Sequence, residues 1–176
     1  MQHPTLEQLK FPTGHFTPPA NYDEATILQL IDEIAALPKK LRDATEDLSD
    51  QQLNTPYRPD GWTIRQVVHH LADSHMNAYI RTKLALTENE PTIKPYDEAT
   101  WAELPDGKID PIDLSLDILD AVHRRWVIVL HNMEAADLDR VYVHPEYGTR
   151  VSLKEVIATY AWHGRHHLGH VLLVAL

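Results

Sequence analysis

The sequence contains no cysteine among its 176 residues. Disulfide bonds and cysteine-ligated metal sites are therefore excluded, and the composition fits a reducing compartment. Basic residues are also scarce, since 16 lysines and arginines stand against 26 aspartates and glutamates, which gives a formal net charge of −10. An acidic surface repels phosphate backbones, so nucleic acid is not an expected partner.

Long apolar runs are missing as well. No stretch approaches the roughly 20 apolar residues that a membrane span needs. The N-terminus MQHPTLEQLKF lacks the basic and then apolar segments of a secretory signal. We therefore expect a cytoplasmic protein without a membrane partner. Apolar residues make up 43% of the chain, which is enough for the core of one globular domain.

Four segments have the apolar periodicity of long helices, and almost no segment alternates as a strand does. They begin near Asn21, Thr63, Pro111 and Ser152, where helix-starting residues precede apolar positions at spacings of three and four. Pro38 is expected to kink or divide the first of these helices. The sequence therefore predicts an all-α protein built as a four-helix bundle.

The connections between the predicted helices are uneven. Residues 88–111 form a long link with several prolines, and VYVHPEYGTRVS at residues 141–152 alternates around a turn, which predicts a minor hairpin. Such links favour a topology other than simple up-down-up-down with tight loops. We divide the chain into an irregular N-terminal segment, residues 1–20 with four prolines, and a single bundle domain, residues 21–176.

Four of the twelve histidines lie within eight residues of the last predicted helix, in the stretch AWHGRHHLGHV. At about 100° per residue they share one face of the helix. Histidines four positions apart can bind one cation, and two pairs have this spacing, His163 with His167 and His166 with His170. Burying so many imidazoles without partners is costly, so a metal site is favoured over a packing role alone.

A third ligand has to come from elsewhere, and the HH pair of the second helix, His69 and His70, offers two candidates. These residues flank the apolar stripe on opposite sides, so helix geometry does not choose between them. Around His70, polar residues suited to the surroundings of a metal pocket recur at helical spacing, namely Gln66, Asp73, Ser74 and Asn77.

The other histidines after the N-terminal segment are isolated in the sequence. They are His75, His123, His131 and His144. We interpret them as solvent-facing residues or hydrogen-bonded core residues rather than as ligands.

Three stretches resemble the YfiT-type metal-dependent hydrolases of the DinB superfamily, namely TPYRPDGWTIRQVVHHLADSHMNAYIRTKLAL, IKPYDEATWAEL and YAWHGRHHLGHV. The resemblance spans nearly the whole chain. It implies a DinB-like four-helix bundle, a homodimer, and one divalent ion per subunit, for which we expect zinc or nickel. The family's three ligands match His70, His163 and His167, which would leave His166 and His170 as neighbours of the pocket.

Three functions are compatible with such a site. A hydrolase would use the ion to lower the pKa of water toward ~7 for attack on a small-molecule substrate, with Asp73, His166 or His170 as the candidate base. A transferase, as the resemblance also implies, would instead hold a low-molecular-weight thiol such as bacillithiol as its thiolate. A non-catalytic scaffold would close the coordination with His166 or His170.

We predict the metal-dependent hydrolase, with the thiol S-transferase as the alternative. The transferase would need cationic groups that bind the carboxylates of the thiol. Candidates on or just after the second helix are Arg65, Arg81, Lys83 and Lys94.

Overall fold

The computed structural model describes residues 4–146 and 148–175, and its architecture is a four-helix bundle. The long helices are α2 (Glu24–Thr45), α4 (Ile64–Thr87), α7 (Ile112–His131) and α8 (Leu153–Ala175). Helix α2 packs against α7 and α8, and α4 packs against the same two helices. The pairs α2 with α4 and α7 with α8 therefore lie diagonally across the bundle. The predicted all-α fold is confirmed.

Short elements occupy the connections. The helices are α1 (Leu6–Lys10), α3 (Asp50–Leu53), α5 (Glu98–Ala102) and α6 (Pro105–Lys108), and a 3₁₀ helix spans Ala135–Asp139. Strands β1 (Val141–His144) and β2 (Thr149–Ser152) form the predicted hairpin, antiparallel with Tyr142 opposite Val151.

Helix α1 corrects the prediction that residues 1–20 are irregular. Thr5 caps it through a capping box, because the Thr5 hydroxyl accepts the Gln8 N–H while the Gln8 side chain accepts the Thr5 N–H at 2.8 Å. The capping-box spacing of Thr5 and Gln8 is present in the sequence, but the surrounding prolines favoured an irregular segment. Residues 1–3 of this segment, Tyr147 and Leu176 lie outside the described residues.

Two helix starts and one helix interior differ from the predictions. Helix α2 is capped by Asp23 rather than Asn21, because the Asp23 carboxylate accepts the Thr26 N–H at 2.8 Å. Pro38 lies inside α2 without dividing it. Pro111 is the N-cap of α7 rather than its first helical residue. The Thr63 capping box of α4 is confirmed.

The bundle interior contains two apolar clusters, which lie toward opposite ends of the long helices. One is centred on Trp126 and Ile31, and the other on Leu71 and Leu41. None of the helices in the described part of the chain combines the length and apolarity needed to span a bilayer.

Candidate metal centre

Three histidines from two helices converge where α4 packs against α8. Nε2 of His70 lies 3.3 Å from Nε2 of His163. One ring nitrogen each of His70, His163 and His167 fall within 4.8 Å of one another. Their rings meet edge to face, with centroids 4.6–5.3 Å apart. The structure thus brings together the three residues that the resemblance implied as ligands.

Local features of both helices fix this convergence. The Gln66 side chain caps α4 and also donates to the Ala102 carbonyl at 2.8 Å, which anchors the turn that precedes His70. On α8, a Cβ at Gly164 would lie 2.7 Å from Leu37 Cδ2 of α2. The glycine between the two histidines of α8 therefore allows that helix to lie close against α2.

The two histidines of the HH pair diverge. Nδ1 of His69 lies 2.7 Å from the Ser115 hydroxyl, and Nε2 of His69 lies 3.2 Å from the Asp110 carbonyl. His69 therefore faces the beginning of α7, while His70 faces α8. Of the HH pair, His70 is the residue whose ring nitrogen lies close to those of His163 and His167.

A second set of three histidines shares a member with the first. Ring nitrogens of His166, His167 and His170 also lie within 4.8 Å of one another. The His170 Nε2–H donates to the Lys10 carbonyl at 3.1 Å, and its Nδ1 lies 3.2 Å from Nδ1 of His167. His166 stacks on Trp162 with centroids 4.6 Å apart, and its buried Nδ1 has no hydrogen-bonding partner among the described residues.

His75 and His123 were missed as neighbours of the site. Nε2 of His75 lies 3.1 Å from Nδ1 of His163, and Nδ1 of His75 lies 2.9 Å from Nε2 of His123. Both side chains are almost completely buried, so of the two interpretations the hydrogen-bonded core residue is the correct one. The two histidines are isolated in the sequence but not in space. Their positions on apolar stripes were the available sign, because buried imidazoles need partners.

Burial favours the neutral form of the imidazoles of the candidate centre. Burial is the main cause that lowers the pKa of His70 to about 4. Burial, and then the neighbouring imidazoles, also lower the pKa values of His163 and His167 well below 6.5. Metal ions bind the neutral form of histidine, so no proton has to be removed from a charged ring at pH 7.

The donor set fits a divalent metal ion. Two nitrogens each about 2.0–2.1 Å from a tetrahedral ion lie roughly 3.4 Å apart. The 3.3 Å between the Nε2 atoms of His70 and His163 matches that separation. Three imidazoles suit zinc, nickel, iron and copper, whereas magnesium and calcium prefer oxygen ligands.

Asp73 lies one helical turn beyond His70 on α4 and is half-buried. Burial, and secondarily the Asp106 carboxylate, raise the pKa of Asp73 to about 6. A carboxylate with that pKa is mostly ionised at pH 7 and accepts a proton more readily than an exposed aspartate.

We expect the metal-free protein to lose stability in mild acid. Burial lowers the pKa of His123 to about 4, so between pH 6.5 and 4 the unfolded chain binds a proton that the folded chain excludes. Stability therefore falls as the pH drops, by about 2 kcal/mol at pH 5 for this residue alone. Urea unfolding of chelator-treated protein at pH 8 and pH 5 checks this, and equal midpoints would contradict it.

Fold and site together define a class of protein, the helical bundles that present histidines from two helices at one buried point. Residues 33–171 match the family model described as the DinB superfamily. The chain belongs to the DinB superfamily, and the family resemblance recognised in the sequence is confirmed.

Individual relatives are similar over nearly their whole length. Two bear the name "Putative metal-dependent hydrolase", one from Bacillus mycoides strain KBAB4 and one from Bacillus cereus strain B4264. Each is 53% identical over 166 residues, which cover 94% of this chain and 95% of the relative.

A solved structure is also similar. It is described as YfiT from Bacillus subtilis, a probable metal-dependent hydrolase with an unusual four-helix bundle topology. The two chains are 41% identical, superpose with a TM-score of 0.92, and each is 95% covered.

Proposed function

We propose that this protein is a metal-dependent hydrolase that acts on a small-molecule substrate. The observation that carries the proposal is the convergence of His70, His163 and His167, with two Nε2 atoms at the separation of ligands on one ion. The names of the relatives support the same activity. We expect one zinc or nickel ion per subunit, and the homodimer and the cytoplasmic location stay predictions.

Three protein ligands are typical of catalytic rather than structural zinc sites, which use four. When bound, a divalent ion supplies a Lewis acid and lowers the pKa of water to about 7. The chain's contribution is to hold three imidazoles with one ring nitrogen each within 4.8 Å of the others, and to exclude competing solvent by burying His70 and His167.

Among the candidate bases, Asp73 fits best. Its pKa of about 6 is close to the operating pH, and its carboxylate is only half-buried. Both ring nitrogens of His170 are already engaged, by Lys10 and by His167, so we assign it an orienting role. His166 remains a second candidate, because its Nδ1 has no partner among the described residues.

The test combines elemental analysis of the untagged protein with turnover of p-nitrophenyl esters. We expect about one divalent ion per chain, and a loss of esterase activity of at least about 100-fold in His70→Ala, since a missing ligand disables the ion. His69→Gln is the matched control and should keep both the ion and the activity. Full metal content and activity in His70→Ala would refute the proposed site.

The thiol transferase is the second candidate, and one observation favours it. Of the cationic residues considered, Arg65 is held by Asp50 and by the Asp110 carbonyl. Arg81 also donates to a carbonyl, that of Lys94 at 3.2 Å, but it lines an open cavity of about 620 Å³ together with Tyr96 and Glu98, where a carboxylate of a thiol would have room to bind.

Incubation with bacillithiol or another low-molecular-weight thiol and monochlorobimane separates the two activities. Conjugation that needs both protein and thiol supports the transferase. Ester turnover that proceeds at the same rate without thiol supports the hydrolase.

A further inference from the structure

Pro38 leaves one backbone carbonyl of α2 without its usual helical donor. Within a helix, the N–H of residue 38 would donate to the carbonyl of Ile34, four residues earlier, but proline has no N–H. The side chain of His123 on α7 takes that place, because its Nδ1 lies 2.7 Å from the Ile34 oxygen. A proline buried inside a continuous helix thus supplies a hydrogen-bond acceptor to the neighbouring helix.

This carbonyl determines which nitrogen of His123 carries the proton. A carbonyl oxygen only accepts, so Nδ1 of His123 must donate, and in a neutral ring Nε2 is then an acceptor. Nδ1 of His75 lies 2.9 Å from that acceptor and donates to it. Nε2 of His75 in turn becomes an acceptor.

The same reasoning also determines the tautomer of His163, the candidate ligand that contacts His75. Nδ1 of His163 lies 3.1 Å from Nε2 of His75 and donates to it. Nε2 of His163 is therefore left with its lone pair, and this is the atom that faces Nε2 of His70 at 3.3 Å. The rings of His123, His75 and His163 are thus each fixed in one tautomer by a single carbonyl.

We propose that Pro38, His123 and His75 are positioning residues that hold His163 in the tautomer and orientation needed for binding a metal ion through Nε2. The inference rests on the proposed metal site. None of the three residues is expected to touch the ion or the substrate.

The chain of imidazoles is an orienting device rather than a route for protons. It ends on a carbonyl, which has no proton to give, and His123 is only 1% exposed. Neutral rings with lowered pKa values also resist the charged intermediate that proton hopping needs.

The other ligand of α8 has an analogous arrangement. His167 Nδ1 faces His170 Nδ1 at 3.2 Å, and the Nε2–H of His170 donates to the carbonyl of Lys10. Lys10 is the last residue of α1, where carbonyls lack intrahelical donors. Both ligands of α8 are therefore oriented by histidines that are bound to carbonyls which helix geometry leaves unpaired.

Substitutions at His75 test the proposal without an activity assay. His75→Phe removes the acceptor, whereas His75→Gln keeps an oxygen near the position of Nε2. We expect zinc affinity to fall about 10- to 100-fold in His75→Phe, as is typical for partners of ligating histidines, and to recover largely in His75→Gln. In metal-free protein, ¹⁵N NMR should show His163 as the Nδ1–H tautomer in the wild type and a shift toward Nε2–H in His75→Phe.

The matched control is His69→Phe, which replaces another buried, hydrogen-bonded histidine of α4 outside the chain of three rings. It should leave both zinc affinity and the tautomer of His163 unchanged. If His75→Phe binds zinc as the wild type does, or if His163 keeps its tautomer there, the proposal is overturned.

Pro38→Ala provides a second test with a smaller change at the site. It tests the positioning of His163 even if His75→Phe does not fold. The N–H of the new alanine competes with His123 for the Ile34 carbonyl. The single tautomer of His163 should therefore be lost in part, and zinc affinity should fall severalfold. Helix propensity predicts that thermal stability rises or stays the same. Weaker binding in an equally stable protein is the supporting result, and unchanged binding with an unchanged His163 tautomer is the opposing one.

These readouts separate this inference from the proposed function. A wild-type protein that binds no divalent ion would refute the metal site, while NMR of the metal-free protein would still reveal whether the tautomer of His163 depends on His75. A wild-type protein that binds zinc while every His75 and Pro38 variant binds it equally would refute the inference alone.

Discussion

Substitution of His163 by alanine is expected to abolish stable binding of the ion, whereas His166→Ala should preserve it. The two sets of three histidines share His167, so its loss cannot distinguish them. His163 belongs only to the set with His70, and His166 only to the set with His170. The pair of variants therefore decides which set binds the metal.

The contacts favour the first set. Hydrogen bonds among His167, His170 and the Lys10 carbonyl already occupy both nitrogens of His170, and a metal ion in the second set would have to break one of them. His163 and His70 instead present facing Nε2 atoms at 3.3 Å. An ion between these two nitrogens satisfies both without disturbing the contacts behind them.

The expected effect is large. Apparent zinc-binding energies of about 10–16 kcal/mol in structural sites with four ligands average about 2.5–4 kcal/mol per ligand, which corresponds to roughly 10²- to 10³-fold in affinity for each ligand lost. Isothermal titration with zinc, or competition with a chromogenic chelator, measures it for both variants. Tight binding by His163→Ala together with weak binding by His166→Ala would transfer the site to the second set.

Much of the fold follows from local signals. The long helices α4 and α8 begin where capping residues precede apolar positions, and their periodic faces pack as the bundle requires. The errors occur where two local signals compete. Asn21 and Asp23 are both residue types that cap helices. Asn21 was the predicted cap, but the carboxylate of Asp23 accepts the Thr26 N–H. Pro38 suggested a break, yet packing on both sides of it keeps α2 continuous.

The candidate site was predictable only in part. Spacing on one helix identified His163 and His167 as a possible pair, but the partner on α4 needed either a family resemblance or coordinates. His75 and His123 could not be paired from the sequence, because they are 48 residues apart and their contact depends on how α4 packs against α7. The raised pKa of Asp73 likewise depends on burial and on Asp106, which comes from the connection before α7.

Trp126→Ala is expected to be the most destabilising substitution of a single side chain that lies outside the metal centre. Trp126 is 0% exposed, and its Nε1–H donates to the Thr82 hydroxyl at 3.1 Å. Its indole also meets Tyr160, His123 and His75 edge to face, with centroids 5.6–6.2 Å apart. Truncation removes these contacts and leaves a cavity, at a cost of about 3–5 kcal/mol.

At about 2–4 °C per kcal/mol for a chain of this size, the melting temperature should fall by roughly 6–20 °C. Trp101→Ala is the matched control, because Trp101 is 37% exposed and its ring packs chiefly on Tyr96, so a change within about 1 kcal/mol is expected there. Trp126 forms one wall around His75 and His123, so the same variant should also loosen the rings behind His163 and weaken zinc binding. An unchanged melting temperature in Trp126→Ala would mean that the bundle interior repacks around the missing indole. Unchanged zinc affinity would mean that the rings behind the candidate ligand do not depend on it.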